Sequence, residues 1–179
     1  MRQTRLLFLS AILISIEGVS AIGCSFVHSN DRFHPPAPAD WHKVDAGPFS
    51  ILAPPGWEFH QLDGADSYIG EFVGNSIVLR FDYGGYSNPL KEERKPIYVV
   101  IHKSIDGHAA KIVSPRVPSH GITGIYFRNA GNASALTLFG KDLTPPQQEL
   151  ALQIFETLRF GGPPPRYVVP PPPPTKNVG

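Results

Sequence analysis

Asp66-Ser67-Tyr68-Ile69-Gly70-Glu71-Phe72-Val73-Gly74-Asn75-Ser76-Ile77-Val78-Leu79-Arg80-Phe81-Asp82-Tyr83 reads as two strand-like runs around a turn. Successive side chains of a strand point to opposite faces, so Ile77, Leu79, Phe81 and Tyr83 share one face and Val78, Arg80 and Asp82 the other. That alternation marks a half-buried strand. Gly74 takes positive φ without a steric cost and Asn75 tolerates it, so this pair suits a tight hairpin joining strands over 66–73 and 76–83. An isolated hairpin is marginal in water, so its apolar face requires further strands and a cover.

Both flanks supply them. Upstream, short strands are expected over 41–44 and 49–52, separated by Asp45-Ala46-Gly47-Pro48, and Pro54-Pro55-Gly56 forces a turn before a third strand over 57–61. Downstream, residues 84–96 carry Gly84-Gly85, Pro89, Pro96 and the run Lys91-Glu92-Glu93-Arg94-Lys95, the composition of a solvated loop. Strand pattern resumes over 98–105, turns at Asp106-Gly107 and continues over 109–113. A further hairpin over 121–128 and 133–140 follows, closed around 129–132. The period then changes: Leu150, Ile154, Phe155 and Leu158 share one face of a helix, started by Thr144-Pro145-Pro146-Gln147 and ended by Gly161-Gly162. The fold class is α+β, a meandering antiparallel sheet packed with a C-terminal amphipathic helix, in a domain over 41–160. Trp41 and Trp57 are expected as core or rim anchors, and Phe127, Phe139 and Phe155 at the sheet-to-helix interface.

Composition bounds the function. The 179 residues include 20 prolines and 17 glycines, which disfavours a helical bundle. Lys+Arg number 16 against Asp+Glu 15, so there is no field to hold nucleic acid by its phosphates. A single cysteine excludes an internal disulfide and any multi-cysteine zinc site.

Residues 1–23 have the layout of a signal peptide: Arg2 and Arg5, an apolar stretch over 6–16, then small residues before Cys24. An apolar stretch of that length is too short to span a hydrocarbon core of about 30 Å. Ala21-Ile22-Gly23-Cys24 resembles the lipobox of bacterial lipoproteins, which implies cleavage before Cys24, its acylation, and attachment to a membrane. Cleavage after Ala21, giving a soluble exported protein with a free thiol, and an uncleaved N-terminal anchor are the alternatives; each places the domain outside the cytoplasm, and the lipid-anchored form is expected in the cell envelope facing the periplasm. Residues 24–40 then form the anchor and a flexible tether. Residues 161–179 carry eight of the prolines and are expected as a disordered, proline-rich tail favouring polyproline II.

Phe49-Ser50-Ile51-Leu52-Ala53-Pro54-Pro55-Gly56-Trp57, the turn Asp106-Gly107-His108-Ala109-Ala110 and the ending Gln153-Ile154-Phe155-Glu156-Thr157-Leu158-Arg159-Phe160 resemble the α/β/α sandwich of PsbP proteins, Mog proteins and many small bacterial lipoproteins. Asp66-Ser67-Tyr68-Ile69-Gly70-Glu71, Phe81-Asp82-Tyr83-Gly84 and Tyr86-Ser87 are also similar to segments of uncharacterised bacterial exported proteins. The resemblance implies an accessory or binding module that docks partner proteins, and it carries over no catalytic residue.

The densest polar and aromatic cluster comprises Asp66, Ser67, Tyr68, Glu71, Asp82, Tyr83, Tyr86 and Ser87. It is the candidate binding surface for an envelope protein or component. Pairing around Gly74-Asn75 would set Asp66 near Asp82, and two adjacent carboxylates can hold a hard cation or split their pKa values as an acid and base. A small cation-dependent hydrolase using Asp66, Glu71 and Asp82 is therefore the alternative, and a structural spacer acting through the proline-rich tail is another. Neither Ser67 nor Ser76 lies in a G-x-S-x-G elbow. There is no phosphate-binding glycine loop, and His102, His108 and His120 lack H-E-x-x-H spacing, so no metal or cofactor is expected.

Overall fold

The computed structural model describes residues 37–91, 96–131 and 134–161. The segments expected as signal peptide and tether, with Cys24, lie outside them up to residue 36, as does the expected tail from residue 162. Among the described residues ten strands and one helix follow in order: β1 (His42–Asp45), β2 (Phe49–Ala53), β3 (Glu58–Leu62), β4 (Tyr68–Gly74), β5 (Ile77–Gly84), β6 (Tyr98–Ile105), β7 (His108–Pro115), β8 (Ile122–Phe127), β9 (Ala135–Lys141), α1 (Pro145–Glu156) and β10 (Arg159–Phe160). The chain is an antiparallel, sheet-rich α+β fold.

Two sheets form. Seven strands run in the order β3-β4-β5-β9-β8-β7-β6, and a small sheet runs β1-β2-β10. The large sheet is antiparallel, as expected from the sequence, but its strands do not all follow one another in chain order. Two meanders, β3-β4-β5 and β6-β7-β8-β9, are joined so that β9 lies against β5. The β5–β6 connection therefore has three strands to cross before β6 begins.

One face of the large sheet is the main core. Phe72, Leu79, Phe81, Ile125, Leu136 and Leu138 are buried there against Phe49 and Ile51 of β2 and Ala151, Ile154 and Phe155 of α1. Phe49 meets Phe72 and Phe81 edge-on, with ring centroids 5.9 and 4.9 Å apart. Thr144 and Gln147 close a capping box at the start of α1, as the sequence indicated, and the Thr144 amide donates to Gln147 Oε1 at 3.0 Å. The helix ends at Glu156, earlier than Gly161-Gly162 would set it. Thr157 turns the chain: its Oγ1 accepts the Leu52 amide at 2.8 Å and lies 2.7 Å from the Ile154 carbonyl, and Arg159–Phe160 then pairs with β2.

The opposite face differs from the sequence reading at two points. Phe139 is on this outer face, because its neighbour Leu138 is the residue paired with Phe81 and Ile125 in the core. The connection read as a solvated loop also carries a plug: Leu90 is 1% exposed and forms a second cluster with Tyr98 and Val113, flanked by Val100, Ile122 and Tyr126. Gly124 makes room for it, since a Cβ there would stand 3.0 Å from a Leu90 methyl.

The central hairpin turns one residue later than the sequence indicated. Gly74 pairs with Ile77, and Asn75 and Ser76 are the turn residues, at φ of 50° and 58°. Gly74 serves close approach instead: a Cβ there would fall 2.3 Å from the buried Trp57 ring. Gly70 lies opposite Phe81, and a Cβ on it would meet Phe59 and Phe81 at 2.7 and 2.8 Å. The missing side chains let these aromatic rings close over the sheet.

Candidate functional site

The candidate residues divide among three environments. Tyr68 and Tyr83 are cross-strand partners facing the core, 7% and 3% exposed, and so leave the binding surface. The Tyr68 hydroxyl donates to the Ala46 carbonyl at 2.9 Å, and that of Tyr83 lies 3.3 and 3.2 Å from the carbonyls of Ala130 and Gly131. Both act as staples holding neighbouring loops to the end of the sheet. Burial, with the Asp45 carboxylate nearby, pushes the Tyr68 phenol above its ordinary value of 10.0.

Glu71 and Asp82 belong to the outer face. Glu71 is opposite Arg80 and pairs with its Nε at 3.4 Å; Asp82 is opposite Ile69 on one side and Thr137 on the other. Asp66 precedes β4 and is exposed. The later turn thus slides β4 by two residues relative to the expected pairing, so Asp66 and Asp82 are not opposite one another. The paired-carboxylate arrangement drawn from the sequence is corrected by this register. Among the described residues no three His, Cys, Asp or Glu side chains converge on a metal-sized space.

Ser67, Ser87, Tyr86 and Asp66 gather at the end of the sheet where β4 begins and β5 ends. Ser67 covers Gly84: a Cβ on Gly84 would lie 2.7 Å from Ser67 Oγ, so the turns over 63–67 and 84–87 abut. Ser87 is buried and fixes the second turn. Its Oγ accepts the Gly84 amide at 3.1 Å, and its one hydrogen has Asp82 O at 2.9 Å, Gly84 O at 3.1 Å, and Asp82 Oδ1 and Ala135 O at 3.2 Å within reach. Asp82 is therefore engaged in holding the loop. The next residue back, Tyr86, is 87% exposed, and an added Cβ on Gly85 beside it would meet nothing. A pinned turn thus presents an exposed aromatic ring at the same end of the sheet as the exposed Asp66.

Sequence reasoning missed the plug and its surroundings. The available signals were Leu90 as an apolar residue in a charged stretch and Gly124 inside an apolar strand, a mark of close approach. No helix among the described residues is long and apolar enough to cross a membrane. Comparison of the chain with protein-family models, with curated proteins and with solved structures finds no match.

Proposed function

We propose that this chain is a non-catalytic accessory protein of a bacterial cell envelope, anchored through acylated Cys24, whose PsbP/Mog-like sandwich docks a protein or envelope component. The docking surface is the end of the sheet formed by Asp66, Ser67 and the turn of Gly85 and Tyr86. The carrying observation is Tyr86, 87% exposed on a turn that the buried Ser87 hydroxyl holds from within. An aromatic side chain with few rotatable bonds, presented on a fixed backbone, loses little entropy on binding and suits the anchor of an interface. The local carboxylates favour docking over turnover: Glu71 is paired with Arg80, and Asp82 Oδ1 packs 3.2 Å from the Ser87 hydroxyl that holds the turn.

Two measurements test this reading. Intact-mass analysis of the full chain recovered from a bacterial membrane fraction is expected to show Cys24 acylated and N-terminal; an unmodified Cys24 overturns the anchor. Capture from the native envelope by wild type and by Tyr86→Ala/Asp66→Ala, matched for thermal midpoint, tests the surface. A discrete partner retained by wild type and lost by the variant supports docking there, and equal retention by both removes this surface from the proposal.

A further inference from the structure

An apolar groove opens at the far end of the large sheet from Tyr86. Tyr98 and Pro115 pair where β6 begins and β7 ends, and beside them Pro96, Ile97, Pro115, Arg116, Val117 and His120 line a cavity of about 320 Å³. Ile97 is 59% and Val117 68% exposed, large apolar side chains that no described residue covers. The walls are built: the Arg116 amide donates to Ile97 O at 2.8 Å, and its Nε to Pro96 O at 3.1 Å. Water is a poor occupant for such a surface, because exposed apolar area is stabilised by removal from solvent.

The chain itself carries a fitting occupant. The Phe160 amide donates to Asp106 Oδ2 at 2.7 Å, so the polypeptide leaves β10 beside the β6–β7 turn. From that turn the groove lies one strand length away: the eight residues of β6 span about 24 Å at about 3.4 Å per step. Gly161 to Pro170 spans about 28 Å in a polyproline II path at about 3.1 Å per residue. The run Pro170-Pro171-Pro172-Pro173-Pro174 therefore has the reach to arrive at the groove. Its chemistry is complementary, with apolar rings for Ile97 and Val117 and carbonyls lacking internal partners for the terminal guanidinium N–H groups of Arg116 and the imidazole of His120 at the rim.

We infer that the groove is the docking site for this chain's own proline-rich tail, occupied in cis by residues 170–174. A short tether supplies an effective concentration of order millimolar, so a groove of modest intrinsic affinity is enough. Docking there places the tail at the end of the sheet opposite Tyr86 and closes an apolar surface otherwise left in solvent. The inference does not depend on the docking surface at Tyr86.

The test compares full-length chains in detergent micelles by methyl and imidazole NMR. Wild type is set against a full-length variant with Pro170→Ser, Pro171→Ser, Pro172→Ser, Pro173→Ser and Pro174→Ser, and against Val117→Asp. The substituted tail is expected to shift the Ile97 and Val117 methyls and the His120 imidazole, leaving the core methyls of Ile125 and Leu138 unmoved. Val117→Asp, at an exposed position, is expected to shift the tail methyls of Val168 and Val169. Superimposable Ile97, Val117 and His120 signals in wild type and tail variant overturn the inference. Shifts that appear only as protein concentration rises also overturn it, because they assign the groove to the tail of a second copy.

Discussion

Ser87 holds Tyr86 in place with a single buried hydroxyl, and its removal should be felt beyond its size. Ser87→Ala leaves the Gly84 amide without its acceptor, and a buried unsatisfied group costs about 1–3 kcal/mol. A lowered denaturation midpoint is expected, with faster amide exchange over 84–87; an unchanged midpoint would show that the turn is held by other contacts. Tyr68 gives a pH signature. Because its folded-state pKa is raised, by burial first and by Asp45 second, its contribution is fully present below pH 10.0 and is lost as pH rises through the folded value. Tyr68→Phe should cost about 1 kcal/mol at neutral pH through the lost bond to Ala46 and should flatten the alkaline decline, as read by chemical denaturation across pH. Asp45 has the opposite sign: its hydrogen bond from Lys43, and then that from the Gly47 amide, lower its pKa from 3.8. Its contribution is present above that value and is lost as pH falls through the folded one. The Asp45 side chain is 51% exposed and solvent screens it, so the effect should stay within a few tenths of a kcal/mol.

At the scale of elements, glycines and one leucine decide how strands pack. Gly74→Ala would drive a methyl group into the buried Trp57 ring, 2.3 Å from the nearest atom, and overpacking of this kind costs about 1–3 kcal/mol. A shifted Trp57 emission together with a lowered thermal midpoint is the expected readout. The β5–β6 connection offers a second check. Leu90→Ala removes the plug from the outer-face cluster and should cost about 2–5 kcal/mol, whereas a solvated loop would tolerate it. A denaturation midpoint equal to wild type would contradict this packing. Leu90 pays a conformational penalty at φ 52°, an uncommon region for a residue with a Cβ, and its burial against Tyr98 and Val113 offsets that strain.

At the scale of the whole molecule, the small sheet and α1 together cover the face that the large sheet turns inward. Phe155 is fully buried in that cover, and Phe155→Ala should destabilise by about 3–5 kcal/mol in denaturant titration. The Lys103–Glu156 bridge, 2.8 Å long with both side chains about four-fifths buried, ties the edge strand β6 to the helix. The Glu71–Arg80 pair lies with Arg80 65% exposed, so it contributes at most about 1 kcal/mol and fixes little beyond the local strand surface.

Alternation and turn chemistry were enough to read β1 to β9 from the sequence, though not the short β10. Ile77, Leu79, Phe81 and Tyr83 point inward as their spacing requires, the Asp106-Gly107 turn has both residues at positive φ, and Thr144 caps α1 with Gln147. Each of these depends on residues close together in the chain. The register of β4 on β5 does not: sliding by two residues keeps every side chain on its face, so the apolar pattern cannot choose between registers. Trp57 beside Gly74 and the rings of Phe59 and Phe81 beside Gly70 accompany the register adopted, and with it Asp66 and Asp82 are not opposite one another. Strand order was equally out of reach, since setting β9 against β5 joins residues far apart in sequence. Nine of the strands, the start of α1 and the inward face of β5 followed from periodicity and local backbone preference, whereas β10 and the outward side of Phe139 did not. The burial of Tyr68 beneath the Ala46 carbonyl, the lodging of Leu90 against Gly124 and the groove left open beside Ile97 came only with tertiary packing, because these depend on volumes that meet when distant segments pack together.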